Sequence, residues 1–186
     1  MDSRVILSIS MVVLIVGIFL SPSAVLAQET TYTTTAVPTK GSARASLNLT
    51  FRINEWTTDQ EVLELAEILR DGGADKLRDA LEDIEKGRLS PQGRIGGDIA
   101  VARMRKTETG HHIILVTARL MPFLELYYGG RSRDYPFGWY EFDVDEEGNG
   151  EGAAIISAKL QFDEEGRLEI TSYGIQPFQL WNVKRW

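Results

Sequence analysis

The clearest pattern of hydrophobic and polar positions in this chain is a strict alternation over residues 47–53. Leucine, phenylalanine and isoleucine occupy every second position, and asparagine, threonine and arginine stand between them. Successive side chains of a strand point to opposite faces of a sheet, so this alternation predicts a strand with one buried face. We expect the folded domain to begin with this strand.

The residues after Trp56 change to a helical periodicity. Thr58 and Glu61 have the spacing of a capping box, and Thr57 with Gln60 offers the same box one residue earlier. Apolar residues then recur at helical spacing on both sides of the Gly72-Gly73 pair: Val62, Leu65, Ala66 and Leu69 before it, and Leu77, Ala80, Leu81 and Ile84 after it. Because glycine commonly ends a helix, the pattern predicts a two-helix hairpin.

Beyond Pro91 the sequence has the character of strands joined by short polar turns. The candidate strands are residues 98–106, 111–119, 139–145, 153–162, 168–173 and 178–184. Since short turns join antiparallel neighbours, we predict a single α+β domain over residues 46–186. It is a twisted antiparallel sheet covered by the two-helix hairpin, with a partly closed barrel as the alternative.

The first 27 residues have the layout of a secretory signal peptide. Arg4 precedes an apolar run over residues 5–20, which is shorter than the ~20 residues that span a membrane. Val25-Leu26-Ala27 then forms a small-residue cleavage site, so we expect a secreted or periplasmic protein. An uncleaved membrane anchor is the alternative. Residues 28–45, rich in serine and threonine, are expected to form an arm with at most one short strand.

Composition and charge narrow the classes of function. The formal net charge is −7 at pH 7, which argues against a nucleic-acid partner because such partners require clustered lysine and arginine. The chain has no cysteine, so its stability in an oxidising compartment must come from packing alone. We expect no cofactor, and contact with a membrane only through the signal sequence during export.

Residues 143–151 resemble the first half of a calcium loop, with alternate carboxylates and a glycine at the bend. The twelfth position of that loop falls on Ala154, where a calcium site requires a bidentate glutamate. Residues 163–166 repeat the acidic-glycine core, so we interpret both stretches as acidic turns. His111 and His112 point to opposite faces of a strand and do not suit one metal ion. We predict no metal site.

The densest group of residues suited to ligand binding lies in the aromatic stretch over residues 123–142. Aromatic faces, guanidinium groups and carboxylates together suit a small molecule, a glycan or a protein. The candidate ligand-binding residues are Arg131, Arg133, Asp134, Tyr135, Trp139 and Glu141. A purely structural interpretation of the aromatics stays open, because buried aromatics are common in strands.

Two functions of different classes follow from this stretch. The first, which we prefer, is an exported binding or interaction module of unknown ligand. The second is a hydrolase-like enzyme that uses Asp134 and Glu141, with a contribution from His112. Catalysis by two carboxylates would place them about 5 to 9.5 Å apart.

Four motifs resemble an uncharacterised family of small secreted bacterial proteins. They are Trp-Thr-Thr-Asp-Gln-Glu at 56–61, Arg-Ser-Arg-Asp-Tyr-Pro-Phe at 131–137, Gly-Asn-Gly-Glu-Gly at 148–152 and Tyr-Gly-Ile-Gln-Pro at 173–177. Members of the family have Asp-Arg-Pro where this chain has Ala118-Arg119-Leu120. The resemblance implies secretion, and it brings no activity, ligand or catalytic residue.

Overall fold

A computed structural model describes residues 29–39, 46–118, 135–172 and 177–186. Over these residues the chain forms ten strands in one antiparallel sheet, together with one helix. The elements in chain order are β1 (Thr30–Pro38), β2 (Leu47–Ile53), α1 (Asp59–Leu81), β3 (Gly87–Pro91), β4 (Gly97–Ile99), β5 (Val101–Lys106), β6 (Gly110–Thr117), β7 (Phe137–Asp145), β8 (Asn149–Phe162), β9 (Leu168–Ser172) and β10 (Phe178–Arg185).

The sheet has the strand order β4-β3-β2-β1-β10-β8-β7-β6-β5, with β9 paired to β8 off this path. Its two end strands, β4 and β5, follow each other in the chain with only Ala100 between them. The Ala100 N–H donates to the Val116 carbonyl at 2.8 Å, and the Lys86 N–H donates to the Ile99 carbonyl at 2.8 Å. The ends of the sheet therefore meet, and the sheet is nearly a closed barrel. The predicted antiparallel sheet is confirmed.

Aromatic side chains fill the inside of this barrel-like sheet. The Phe51 ring lies 5.4 Å from the Tyr140 ring and 5.6 Å from the Phe142 ring, measured between centroids. The Tyr32 ring meets Phe142 edge-on at 5.3 Å. Burial raises the pKa of the Tyr140 hydroxyl far above its ordinary value, because water is excluded from the charged form. These rings come from β1, β2 and β7, so the interior joins distant parts of the chain.

Helix α1 packs on the outer surface of the sheet and forms a second core there. Its buried residues Leu69, Leu77 and Leu81 belong to one cluster with Phe137 and Trp139 of β7. The helix begins with the capping box that the sequence predicts, in which Thr58 accepts from the Glu61 N–H and Glu61 accepts from the Thr58 N–H.

The structure does not show the predicted two-helix hairpin, although it does interrupt the helix at Gly73. The helix runs over Asp59–Leu81, and only Gly73 departs from helical dihedral angles, with φ of 72°. A helical hairpin needs a connecting loop of a few residues. Gly73 instead takes a positive φ with an extended ψ of −172°, which kinks the helix, and helical structure resumes after it.

Three parts of the sheet differ from the sequence-based expectations. Residues 30–38 form the nine-residue strand β1 between β2 and β10, where we expected a loose arm with at most a short strand. The predicted strand over residues 98–106 is divided at Ala100 into β4 and β5, and β3 was not predicted.

Residues 1–28, which include the predicted signal peptide, lie outside the described part of the chain. Within that described part, no helix has the length and apolar character needed to cross a membrane.

Candidate functional site

Three of the six predicted ligand-binding residues, Arg131, Arg133 and Asp134, lie outside the described residues. Their roles, and the hydrolase-like alternative that requires Asp134, stay predictions. Tyr135 is half-buried just before β7. The structure thus describes only the second half of the predicted site.

Trp139 and Glu141 lie on the outer face of β7 and contact each other. The Trp139 Nε1–H donates to Glu141 Oε2 at 3.1 Å. Trp139 is only 8% exposed, because its ring packs in the core beneath helix α1. Its indole therefore stabilises the attachment of the helix and presents little surface to a ligand.

His112 lies on the same outer face, opposite Asp143 of β7. The His112 Nδ1 and the Asp143 Oδ1 are 2.8 Å apart, and the Asp143 carboxylate is largely exposed. A carboxylate at Nδ1 orients an imidazole and fixes its tautomer. His111 pairs with the buried Val144, so the two histidines do lie on opposite faces.

The acidic stretch at the end of β7 forms a tight turn. Asp145 accepts from the Asn149 N–H with its side chain at 2.8 Å and from the Gly148 N–H with its carbonyl at 3.0 Å. Gly148 takes a φ of 87°, and Gly166 takes 76° in the corresponding turn before β9. In the described ranges, no three side chains of the kinds that ligate metals come together to hold an ion.

A groove of about 550 Å³ lies over the outer faces of β2 and β3 and the loop that joins β3 to β4. Its polar lining comes from the side chains of Thr50, Arg52, Arg88, Ser90, Gln92 and Arg94. Three guanidinium groups thus line one groove in a chain whose net charge is −7. The groove is suited by its charge to an anion.

Two of these arginines are paired directly across neighbouring strands. Arg52 of β2 and Arg88 of β3 occupy opposite positions in the antiparallel register. Like charges directly opposite each other destabilise a sheet by up to about 1 kcal/mol relative to neutral residues. Between themselves the two guanidinium groups repel, so their direct pairing does not stabilise the sheet.

Two carboxylates lie near the arginine pair, but they neutralise its positive charge only weakly. Glu29 Oε1 lies 3.2 Å from Arg52 Nε, and Asp98 Oδ1 lies 3.9 Å from Arg88 Nη1. All four side chains are about half exposed to water. Exposed ion pairs contribute roughly 0–1 kcal/mol, so an anionic ligand can displace these carboxylates at little expense of stability.

The sequence did not lead us to this groove, because its arginines come together only through strand pairing. Arg52 resembles any polar residue on the outer face of β2, and β3 was not recognised as a strand. The signal was present as alternation: Thr50 and Arg52 on one strand, and Arg88 and Ser90 on the other. The register that brings the arginines opposite each other required the structure.

Comparison with known proteins gives no match: no family model fits the chain, and no curated protein and no solved structure is similar to it. The resemblance suggested by the four sequence motifs stays a prediction. Geometry and charge therefore carry the functional inference.

Proposed function

We propose that this protein is an exported binding module that takes an anionic ligand in the arginine groove of β2 and β3. The observation that carries the proposal is the direct pairing of Arg52 with Arg88. Two like charges are held opposite each other at a cost in stability, and a bound anion between them would turn that repulsion into attraction.

The chemistry of the groove supports a ligand with carboxylate, sulfate or phosphate groups. Guanidinium groups bind these anions through two parallel hydrogen bonds. The hydroxyl groups of Thr50 and Ser90 and the amide of Gln92 line the same groove and supply further donors.

Export is supported by the apolar run and the Val25-Leu26-Ala27 cleavage site. Intact mass of protein from a periplasmic or culture fraction tests export, and we expect a chain that begins at Gln28.

The substitution Arg88→Thr tests the groove. Threonine suits a strand and removes the repulsion with Arg52, so the melting temperature should stay the same or rise slightly. Affinity for inorganic sulfate, measured by calorimetry at low ionic strength, should fall about tenfold because a charge-assisted contact is lost. Stability and binding should thus change in opposite directions.

Two matched variants separate the groove from general charge effects. Arg105→Thr removes the same charge from the exposed outer face of β5 and should leave sulfate affinity unchanged. Glu29→Gln removes the carboxylate that competes for Arg52 and should strengthen sulfate binding. The proposal is wrong if Arg88→Thr and Arg105→Thr weaken sulfate binding equally.

A further inference from the structure

Two exposed tryptophans lie on β10 and directly after it, with β1 between them and the strands that carry the arginine groove. Trp186 is 83% exposed, yet its Nε1–H donates to Thr33 Oγ1 at 2.9 Å and its backbone N–H donates to the Thr31 carbonyl at 3.0 Å. Trp181 of β10 is 45% exposed and pairs with Thr35. These hydrogen bonds hold the Trp186 ring in one orientation, so it is a preformed flat apolar surface in contact with water.

Hydroxyl and amide groups cover the sheet between the tryptophans and the arginines. Thr33 pairs with Thr50, and Thr50 pairs with Ser90, so the three hydroxyl groups form a row on the outer face. In the next row Thr35 Oγ1 donates to Asn48 Oδ1 at 3.0 Å, and Asn48 Nδ2 donates to Gln92 Oε1 at 2.7 Å. We call this surface, from Trp186 to the groove, the outer polar face.

The outer polar face is wider than any single small anion. It crosses β10, β1, β2 and β3, and neighbouring strands lie about 4.8 Å apart, so its width is roughly 14 Å. Lys184 of β10 pairs with Thr33 on the same face and extends the positive charge away from the groove. A ligand that uses the whole face must be elongated, anionic, rich in hydrogen-bonding groups and able to stack on an indole.

We infer that the ligand is a linear anionic polysaccharide. Its carboxylate or sulfate groups bind in the arginine groove, its hydroxyl groups bond to the threonine and amide rows, and a sugar ring stacks on Trp186. This inference rests on the anion-binding function proposed above and adds the class of ligand. A free inorganic anion would use neither the rows nor the indole, and a protein partner would favour an apolar pocket at the centre of the surface.

Binding of oligosaccharides to the full chain tests the inference. The probes are hexamers of galacturonate, of mannuronate and of a sulfated glucan, each compared with its monomer and, for galacturonate, with its neutral methyl ester. We expect at least one anionic hexamer to bind about tenfold more tightly than its monomer, with no binding of the methyl ester. Tryptophan fluorescence should shift on binding, since the rings of Trp181 and Trp186 leave water.

The variant Trp186→Ala isolates the stacking contact. It should weaken binding of the hexamer about tenfold and leave the affinity for inorganic sulfate unchanged, because the indole lies outside the groove. Leu63→Ala, which removes an exposed apolar side chain from helix α1, is the matched control and should change neither affinity. If Trp186→Ala does not fold, the fluorescence shift of the wild-type protein is the deciding measurement.

The outcomes separate this inference from the proposed function. If the wild-type protein does not bind sulfate, both the anion-binding function and the polysaccharide ligand are overturned. Sulfate binding that depends on Arg88, together with hexamers that bind no better than monomers, overturns only the polysaccharide. If the protein binds vesicles of anionic phospholipid and binds no hexamer, the polysaccharide inference is also overturned, and the ligand is instead the surface of a membrane.

Discussion

Two glycines of β8 set the distance between β8 and β7. Gly150 and Gly152 pair with Val144 and Phe142, whose side chains are buried in the barrel core. A Cβ atom at Gly150 would overlap the backbone carbonyl of Asp143, and one at Gly152 would overlap that of Glu141. These glycines therefore permit a close approach of two strands, independently of any turn.

The substitution Gly152→Ala should destabilise the protein. Its methyl group meets backbone atoms that can move only with the strand, so we expect the free energy of unfolding to fall by about 1–3 kcal/mol. Gly97→Ala is the control, because a Cβ atom at Gly97 meets no atom within 4 Å and its φ is not positive. Urea denaturation compares the two variants. Equal midpoints would show that the approach of β8 to β7 is not tight.

At the scale of residues, a conformation that depends on neighbouring residues could be predicted from the sequence. A conformation that depends on contacts with a distant strand could not. The acidic turns at residues 145–148 and 163–166 follow from aspartate and glycine, and both glycines take the expected left-handed conformation. Gly150 belongs to the same sequence motif, but glycine is needed there because the backbone of β7 lies too close for a Cβ atom. The sequence of the motif therefore explains only part of it.

At the scale of elements, the start of helix α1 is tied to the sheet by a charged cluster. Lys86 Nζ lies 2.5 Å from Glu55 Oε1 and 2.7 Å from Glu61 Oε1. Hydrogen bonds from Lys86, and then from Thr58, lower the pKa of Glu61 to about 2. Burial of Lys86 acts to lower its own pKa, but the hydrogen bonds to Glu55 and Glu61 outweigh burial and the net shift is upward. The ionised cluster thus favours the folded state.

This cluster predicts loss of stability in acid. The folded-state pKa of Glu61, about 2, is below its ordinary value of 4.5, so its contribution is complete above about pH 4.5 and is lost as the pH falls towards 2. Glu61→Gln should lower the free energy of unfolding at pH 7 by about 1 kcal/mol and flatten its decline in acid. Denaturation midpoints between pH 7 and pH 2 measure both effects.

Glu67→Gln is the control for this prediction. Glu67 is an exposed carboxylate on the same helix, and its substitution should change neither the midpoint at pH 7 nor the decline in acid. An acid decline of full size in Glu61→Gln would mean that other carboxylates dominate the titration.

The elements also show which sequence patterns predict structure correctly and which are ambiguous. The capping box and the alternation of β2 were predicted correctly, because both depend on a few neighbouring residues. The Gly72-Gly73 pair gives the same local signal for the end of a helix as for a kink. The difference arises because Leu77 and Leu81 beyond the pair pack in the same core as Leu69.

At the scale of the whole molecule, strand order lay beyond sequence reasoning. The strand β10 pairs with both β1 and β8, so one of the last strands of the chain lies in the middle of the sheet beside one of the first. The threonine-rich segment has the composition of an arm, but Thr31, Thr33 and Thr35 lie on the outer face of β1, while Tyr32, Thr34 and Ala36 are buried between them. The arginine groove depends on the same long-range pairing, which local patterns do not contain.

Closure of the sheet depends on Thr57, which connects the segment after β2 to β5. Its N–H donates to the Ala102 carbonyl at 2.7 Å, and its Oγ1 accepts from the Ala102 N–H at 3.0 Å. The Thr57 carbonyl also accepts from Arg103 Nη1 at 2.9 Å. These bonds hold β5, the strand at one end of the sheet, against the segment that follows β2. Because β2 lies close to β4 at the other end of the sheet, they help to close it.

The substitution Thr57→Val tests closure. Valine keeps the shape of the side chain but leaves the buried Ala102 N–H without its acceptor, which should cost about 1–3 kcal/mol. In the wild type we expect the Ala102 amide to exchange with deuterium only through global unfolding, and in Thr57→Val it should exchange faster than the core amides of β7. Thr58→Ala, which removes only the helix cap, should lower stability by about 1 kcal/mol without this local opening. A wild-type Ala102 amide that exchanges as fast as an exposed edge would mean that the sheet is open between β4 and β5.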